Sequence, residues 1–536
     1  MMHTFRILSI LCCFLVHTTA NAQFTSQHPL VFIETNGQEI VDEPDILAQI
    51  RVIDNGDGMP HSIDDPATYE GYVTIELRGN SSLDFPKKSY GFETADANGE
   101  DMDVALLGFP IEEDWILYSG WADKTFLRNV LAMHLSREMG YYASQTRFCE
   151  VFLNDEYQGL YVLMEKIKRD NNRVDIAKLS EDDTTGEPRT GGYILKFDWN
   201  EEEGWATNST TITGQPLFLQ YVYPKPEDLQ YEQQTYIQSF IDSFELALFA
   251  PNYTNSFGKH YSDYADINSF VDLFIVNELS KNVDAYKLST FIHKDRDKNG
   301  GKLKAGPIWD YDIAWYNSDY CAGGEFEGWI YNEENCEDLE IMPRWWARFL
   351  ADPMFQERLC ERWSTFRQDL LSESNLLNWI DAQAAFIDAA QERNYALWES
   401  LNEPTWAHPE IAGTYQGEVD LLKNFIQQRL VWMDEELNCI TSTASPASDD
   451  ELILNIHPNP TNDGSFQLDV QFPTQPKRVD LSIYSAEGRL MHERTFSAPL
   501  SIFSERVSTV GWVPGTYFVS LNTDAFQLNR SIIIAE

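Results

Sequence analysis

The residues with the clearest chemical potential lie between positions 282 and 312, in the segment NVDAYKLSTFIHKDRDKNGGKLKAGPIWDYD. Asp284 follows an apolar helical pattern, and Asp310 and Asp312 follow the pattern of a hairpin. Carboxylates at the ends of neighbouring elements can converge, so that one accepts a proton from a hydroxyl group while others bind a hard divalent cation. The chain has 85 acidic residues, however, and loop aspartates are usually solvated. The pattern alone leaves both interpretations open.

A second acidic segment, DRDKNG at 295–300, resembles the start of a calcium-binding loop. Position twelve of such a loop is a bidentate glutamate, and here that position is Gly306. We therefore interpret the segment as a hairpin turn. The sequence has no GxxxxGKS/T, HExxH, GxSxG or GxGxxG motif, so functions built on a P-loop or a nucleophilic serine lack support.

Hydrophobic periodicity predicts the elements that position these carboxylates. Asp123 is placed to cap a helix over 123–139, and Gly140 is placed to end it. A second, apolar helix is predicted over 268–281, and long amphipathic helices over 343–437. The predicted strands are 72–80, 87–93, 191–198, the two arms of a hairpin over 149–167, and two strands that flank the polar turn 295–301.

Composition limits the class of function. The 536 residues include 43% hydrophobic residues and 15 tryptophans, which excludes a disordered chain. The formal net charge of −46 argues against binding to nucleic acid or anionic membranes through bulk charge. The residues from 451 onward carry nine acidic and six basic side chains, so nearly all of the charge belongs to the preceding part. This difference indicates a separate C-terminal unit.

The N-terminus has the pattern of a secretory signal peptide over 1–22. Arg6 precedes an apolar run over 7–16, and a small-residue site, Ala20-Asn21-Ala22, follows. No other segment has about 18 consecutive apolar residues, so we expect no transmembrane segment in the mature protein.

Five of the seven cysteines lie outside this leader, which predicts at least one free or intermolecular thiol. Cys321 and Cys336 flank a loop rich in Gly and Glu and are the favoured disulfide in an oxidising compartment, with Cys360 and Cys439 as a weaker second pair. Cys149 lies in a predicted strand, where we expect a buried thiol.

The small, polar segment 441–450 is typical of a linker. After it, short apolar runs alternate with turn sequences at 462–464, 486–488 and 514–515. This rhythm predicts a small β-sandwich over 451–536.

Six blocks in the first part of the chain resemble the CotH family of secreted atypical kinases, named for spore coat protein H. They are RGNSSLDFPKKSYGFE, LLGFPIEEDWIL, DKTFLRN, LNDEYQGLYVLMEKI, NVDAYKLSTF and GPIWDYDIAW, in this order. The resemblance spans about 30–437 and is dense over 70–320. It implies an α+β, two-lobed protein-kinase-like fold over 23–440, with a small lobe over about 30–200. It also implies transfer of phosphate from ATP, with Mg²⁺ or Mn²⁺, to Ser or Thr of protein substrates.

The resemblance also implies roles for individual residues. Asp284 is the base that positions the substrate hydroxyl, Asp310 binds magnesium, and Asp312 assists it or faces solvent. Lys88 precedes the 123–139 helix and corresponds to the lysine that pairs with the α- and β-phosphates. The further nucleotide-binding candidates, for which structural ion pairs or helix caps are the alternative, are Arg78, Arg128 with Asn129, and Glu165 at the end of the hairpin.

The sequence departs from the usual kinase pattern at two positions. Kinases carry an Asn about five residues after the catalytic Asp, and here that position is Ser289, whereas Asn282 precedes Asp284. The usual helix glutamate is not obvious, since Glu138 lies near the helix end. A second hypothesis is therefore a degenerate member of the family that acts as a surface adhesion or scaffold protein.

The C-terminal blocks HPNPTNDGSFQLDV, LSIYSAEGRLM and PGTYFVSL resemble the sorting domain of the type IX secretion system. The resemblance covers 451–536. It implies passage through the periplasm, recognition by the type IX machinery, and a secreted or surface-attached protein from a Bacteroidetes-type source. The run His457-Pro458-Asn459-Pro460 is then an address and turn sequence without a catalytic part.

Overall fold

The computed structural model describes residues 24–56, 58–336, 338–439, 453–457, 461, 464–471, 477–485, 489–497, 502–523 and 527–535. The predicted signal peptide, the linker 441–450 and Pro458-Asn459-Pro460 lie outside these residues. The chain divides into two compact units, one ending at Leu437 and one beginning at Asn438. Within the described residues, no helix has the length and apolar character needed to cross a membrane.

The first part of the larger unit is a closed β-barrel of seven strands, in the order β2-β3-β5-β6-β7-β9-β8. Alternation along β5 points Val73 and Ile75 into the barrel, where Leu117 and Val151 pack against them. Parallel pairing of β2 with β8 closes the barrel, and β1 pairs with β4 outside it. The strands are β1 Thr25–Ser26, β2 Leu30–Glu34, β3 Ile46–Ile53, β4 His61–Ser62, β5 Tyr69–Arg78, β6 Ser89–Ala95, β7 Asp114–Tyr118, β8 Thr146–Leu153 and β9 Glu156–Glu165.

The helix α1, Arg128–Glu138, is inserted between β7 and β8. It begins five residues later than the sequence predicts, because Phe126 has φ of 61° and cannot continue a helix. Asp123 nevertheless acts near the start of the helix, since its carboxylate accepts the main-chain N–H of Arg128 over 2.9 Å.

A second, five-stranded sheet has the order β11-β12-β10-β13-β14 and is antiparallel throughout. The strands of this sheet come from two distant parts of the chain, because the helices α2 (Tyr231–Leu248) and α3 (Ile267–Ser280) lie between β12 and β13 in sequence. The predicted turn 295–301 connects β13 to β14. The strands are β10 Tyr193–Phe197, β11 Gly204–Thr210, β12 Pro216–Tyr223, β13 Thr290–Lys294 and β14 Leu303–Ala305.

The helix α3 is the centre of the helical part, with nearly every residue buried and with α1, α5 and α8 packed against it. The carboxylate of Asp266 accepts the N–H of Asn268 and begins this helix. It ends at Ser280, where Lys281 adopts φ of 47° and turns the chain toward Asp284. The helices are α2 Tyr231–Leu248, α3 Ile267–Ser280, α4 Trp345–Leu350, α5 Pro353–Arg367, α6 Glu373–Phe386, α7 Asp388–Trp398 and α8 Tyr415–Leu437.

The smaller unit is all-β, with two antiparallel sheets of order β15-β16-β19 and β18-β17-β20-β21. Both sheets contribute to one apolar core, which includes Phe466, Leu481 and Val519. The mixed body and the all-β tail agree with the predicted fold class, whereas the kinase-like two-lobed arrangement stays a prediction. The strands are β15 Ile453–His457, β16 Ser465–Gln471, β17 Arg478–Ser485, β18 Leu490–Ser497, β19 Ile502–Ser508, β20 Gly515–Thr523 and β21 Gln527–Ile534.

Candidate active site

Asp284 lies in the turn that follows α3, and its side chain is one-fifth exposed. The Oδ1 atom of Asn282 accepts the main-chain N–H of Asp284 over 3.1 Å and fixes the turn. Partial burial raises the pKa of Asp284 to about 6, and the negative charges of Asp310, Asp338 and Asp198 act in the same direction. Lys287, whose ammonium group lies 3.9 Å away, opposes this shift.

Asp310 and Asp312 lie in the segment after β14, which we call the WDYD loop (residues 309–312). Asp310 has φ of 58°, and Ser289 Oγ donates to its carboxylate over 3.2 Å. Tyr118 Oη donates to the carboxylate of Asp312, also over 3.2 Å. Partial burial, with the charges of Asp310 and Asp123, raises the pKa of Asp312 to about 8. Two neighbouring acids that resist joint ionisation form a favourable site for a cation.

The three aspartates line one cleft of about 460 Å³ between the barrel and the WDYD loop. Two cations line the same cleft, Arg78 at the end of β5 and Lys196 in β10. The guanidinium carbon of Arg78 lies 5.8 Å from the centre of the Trp309 ring. The structure therefore brings together carboxylates for a metal, cations for an anionic ligand and an aromatic surface.

Sequence reasoning did not identify Lys196. Its ammonium group lies 2.8 Å from Glu202 and 3.4 Å from Asp198, and Asp198 also lines the cleft. The signal was weak but present: Lys196 is the one charged residue in the apolar strand YILKF. The charged end of a side chain in such a strand extends to a solvent-accessible site, and here that site is the cleft.

Arg128 and Asn129 support the WDYD loop from α1. Asn129 Oδ1 accepts the main-chain N–H of Tyr311 over 2.7 Å, and Arg128 Nε donates to the carbonyl oxygen of Trp315 over 3.4 Å. Arg128 is buried and forms an ion pair of 2.5 Å with Asp123. Asn129 lines the cleft, whereas Arg128 is absent from the described residues that line it.

Lys88 and Glu165 are likewise absent from the described lining of the cleft. Lys88 precedes β6, and its ammonium group donates to the carbonyl oxygen of Leu83 over 2.5 Å. Glu165, at the end of β9, accepts the main-chain N–H of Gln145 over 2.9 Å. The structure thus separates Lys88, Arg128 and Glu165 from the group formed by Asp284, Asp310, Asp312 and Arg78.

A second acidic group, Glu112, Glu113 and Asp114, has carboxylate oxygens within 4.8 Å of one another. Lys168 lies within 2.7 Å of all three side chains, and Lys166 lies 2.8 Å from Asp114. These ammonium groups neutralise the cluster, so its geometry needs no metal ion.

The predicted disulfide between Cys321 and Cys336 is present, with a Cα–Cα distance of 4.5 Å. Cys360 and Cys439 each take part in a disulfide as well. Cys149 is a free thiol in the barrel interior, and burial raises its pKa to about 12. It is therefore an unreactive core residue.

Comparison with models of known protein families shows which family this chain belongs to. A family model described as CotH kinase protein matches residues 75–433. The chain belongs to the CotH kinase family. A second model, described as a secretion system C-terminal sorting domain, matches residues 455–535. A search of curated proteins finds no match. Both resemblances inferred from the sequence are confirmed.

The sorting domain shows that this CotH-family protein is exported and is secreted or attached to the cell surface. It also implies an interaction with the type IX secretion machinery. The Bacteroidetes-type source stays a prediction.

Proposed function

We propose that this CotH-family protein transfers the terminal phosphoryl group of ATP to Ser or Thr hydroxyls of protein substrates outside the cytoplasm. The observation that carries the proposal is the convergence of Asp284, Asp310, Asp312, Arg78 and Lys196 on one cleft. Phosphoryl transfer depends mainly on positioning and charge neutralisation, which this set of residues is suited to provide.

The donor set fits a magnesium or manganese ion. Asp310 and Asp312 supply hard carboxylate oxygens two residues apart, and the hydroxyl of Ser289 contacts Asp310. Ser289 occupies the position at which kinases carry a metal-binding Asn, so its hydroxyl can replace part of that function. When bound, the metal and ATP supply the transferable phosphoryl group and neutralise its negative charge.

Arg78 and Lys196 are the cations suited to hold the phosphates. The guanidinium group of Arg78 presents several N–H donors, and its approach to Trp309 orients it within the cleft. In this proposal Arg78 and Lys196 bind the nucleotide phosphates, a role that the family resemblance also implied for Lys88 and Arg128.

Asp284 is suited to orient a substrate hydroxyl and accept its proton. With a pKa of about 6 it is mostly ionised at pH 7, and it remains more basic than an ordinary aspartate. Its exposed fraction faces the cleft, so a hydroxyl group can reach the carboxylate.

One observation favours a second function, binding of glycans by a catalytically inactive protein. Trp199 and Trp406 are 38% and 52% exposed and line the outer groove beside the cleft. Tyr320 lines the same groove, with its ring centre 5.9 Å from that of Trp406. Exposed aromatic rings of this kind suit flat, partly apolar ligands. Nucleotide binding distinguishes the two functions.

The test uses the purified mature protein with labelled ATP, Mg²⁺ or Mn²⁺, and a Ser-rich acceptor peptide. We expect labelling by the wild type and loss of labelling in Asp310→Ala and Asp284→Asn. Asp420→Ala, a change at an exposed position of α8, is the matched control. Equal labelling by the wild type and Asp310→Ala overturns the assignment. Absence of an ATP-induced thermal shift, together with glycan binding, favours the second function.

A further inference from the structure

Lys287 is a buried ammonium group held between two carboxylates. Its side chain has 0% exposure, and its Nζ atom lies 3.3 Å from Asp338 and 3.9 Å from Asp284. A buried charge requires partners, and removal of one partner leaves part of that charge uncompensated. Asp338 and the candidate base Asp284 therefore share one cation.

Asp338 lies just after a loop that is closed by a covalent bond. The disulfide between Cys321 and Cys336 encloses fourteen residues, and Asp338 lies two residues beyond it. We call residues 319–338 the disulfide loop. It lines the outer groove, which also reaches Asp284, through Asp319, Tyr320, Cys321, Ala322, Glu325, Asn335 and Asp338.

The middle of the disulfide loop forms several hydrogen bonds with α3 and α8, whereas its end forms fewer contacts. Glu278 of α3 accepts the main-chain N–H groups of Ile330 and Tyr331, and Arg429 of α8 donates to the carbonyl oxygen of Gly328. Among the described residues of 333–338, Cys336 forms the disulfide and the side chain of Asp338 forms the ion pair with Lys287. The main-chain oxygen of Asp338 also accepts the N–H of Ile341 over 3.3 Å. The disulfide two residues before Asp338 and the short turn after it therefore both restrain the position of Asp338.

We propose that Lys287 and Asp338 are positioning residues for Asp284, and that the Cys321–Cys336 disulfide holds Asp338 in place, so that full transfer activity requires the oxidised protein. This inference rests on the proposed kinase function. Since disulfides form outside the cytoplasm, the enzyme becomes fully active only after export.

Loss of the ion pair between Asp338 and Lys287 should make Asp284 a weaker base. When Asp338 is detached, Lys287 neutralises Asp284 alone, which makes the base weaker and occupies an oxygen that should face the substrate. The other charged or titratable groups around Asp284 are Asp198 and Lys196 of β10, Asp310 and Asp312 of the WDYD loop, and Tyr320 of the disulfide loop. The groups of β10 and the WDYD loop lie outside the disulfide loop.

The redox step is a thiol–disulfide exchange. The thiols of Cys321 and Cys336 lose two protons and two electrons to an oxidised dithiol carrier, whose disulfide is reduced to two thiols as the protein disulfide forms. Dithiothreitol reverses the step and is itself oxidised to a cyclic disulfide. Cys149 does not compete, because it is buried and its thiol is protonated.

The first experiment compares two disulfide deletions in the mature protein, C321S/C336S and the matched control C360S/C439S. We expect kcat to fall by about tenfold in C321S/C336S, with an unchanged KM for ATP, because the base is misplaced while the nucleotide site is intact. The control should retain the wild-type kcat. Within C360S/C439S, dithiothreitol should lower kcat to the same extent, and oxidised glutathione should restore it.

The second experiment tests the positioning without altering a cysteine. Asp338→Asn should move the acidic limb of the kcat–pH profile to lower pH, and Lys287→Met should move it to higher pH, each by roughly one unit. A purely structural role would lower the melting temperature without these opposite shifts. These two variants decide the question if C321S/C336S does not fold.

The outcomes separate the two proposals. A wild type that transfers no phosphate overturns the proposed function and, with it, this inference. An active wild type whose rate and pH profile are unchanged in Asp338→Asn and Lys287→Met overturns the inference alone. The same holds for an active, folded C321S/C336S variant that matches its control.

Discussion

The amide of Asn282 joins the two loops that carry the catalytic candidates. Its Nδ2 atom donates to the main-chain oxygen of Asp310 over 3.1 Å, while its Oδ1 atom accepts the N–H of Asp284. Asn282 is buried, with 3% exposure, so the competition of water for these bonds is weak. One side chain thus sets the position of the candidate base relative to the candidate metal ligand.

Asn282→Ala should therefore lower kcat more than it lowers stability. Loss of both hydrogen bonds should cost about 1–3 kcal/mol of unfolding free energy, whereas misplacement of the two loops should reduce kcat by about a hundredfold. Steady-state kinetics and urea denaturation measure the two effects. Asn299→Ala, in the exposed turn between β13 and β14, is the control and should change neither. A variant with wild-type kcat contradicts the prediction.

Arg78→Ala and Lys88→Ala should distinguish the cation that lines the cleft from the lysine that precedes the neighbouring strand β6. Arg78 faces the cleft, whereas the ammonium group of Lys88 is bound to a carbonyl oxygen of its own turn. We expect KM for ATP to rise by about tenfold or more in Arg78→Ala, because a charge-assisted contact to phosphate is lost. Lys88→Ala should leave KM near the wild-type value. A raised KM in Lys88→Ala with an unchanged KM in Arg78→Ala would show that Lys88, and not Arg78, contacts the nucleotide.

Arg128 should matter for stability, through its buried ion pair with Asp123. Asp123→Asn and Arg128→Met should each cost about 3–5 kcal/mol of unfolding free energy, because each leaves one buried charge without a partner. The double variant should be more stable than the sum of the single changes implies. Chemical denaturation of the four proteins gives the coupling energy, and strict additivity contradicts the assignment.

Stability should decrease as the pH rises, in part through Glu245. This buried carboxyl group of α2 accepts hydrogen bonds from Thr207 and Trp345, and burial raises its pKa from an ordinary value of 4.5 to about 7. The folded state therefore holds a proton that the unfolded state releases between pH 4.5 and 7, so stability falls across this range.

Glu245→Gln should remove this loss, which amounts to about 3 kcal/mol between pH 5 and 8. Urea denaturation at the two pH values measures the difference between variant and wild type. Glu232→Gln, at an exposed position in the first turn of α2, is the matched control and should follow the wild type. Parallel pH profiles for Glu245→Gln and wild type would show that Glu245 is ionised in the folded protein.

A divalent cation should stabilise the wild type more than a variant that lacks the WDYD carboxylates. Ligand at about a hundred times its dissociation constant adds about 2.7 kcal/mol to the unfolding free energy. We expect Mn²⁺ to raise the melting temperature of the wild type and EDTA to reverse the effect, with no response in D310A/D312A. An equal response in both proteins would place the cation elsewhere.

Much of the organisation follows from the sequence alone. The blocks around Asp284 and Asp310 indicated the CotH family, and the order of the C-terminal blocks indicated the sorting domain. The hairpin at 149–167 and the helix at 268–281 were predicted to within a few residues. These features depend on local pattern, residue type and order, which a linear sequence contains in full.

Other features depend on contacts between distant parts of the chain. Barrel closure requires β2 to pair with β8, across more than a hundred residues, and no local pattern encodes that pairing. The support of Tyr311 by Asn129 and the shared cation between Asp284 and Asp338 are of the same kind.

Tertiary structure also decided which basic side chains line the cleft. Lys87, Lys88 and Arg78 lie on or beside neighbouring strands, yet Lys87 is buried against Asn394, Lys88 is bound to its own turn, and Arg78 alone of the three lines the cleft. Side chains a few positions apart on or beside a strand can point to opposite faces, so residue type and spacing do not decide which basic side chain faces the cleft. The sequence determined that basic residues lie near the aspartates, and only the packing of the barrel determined which of them face the site.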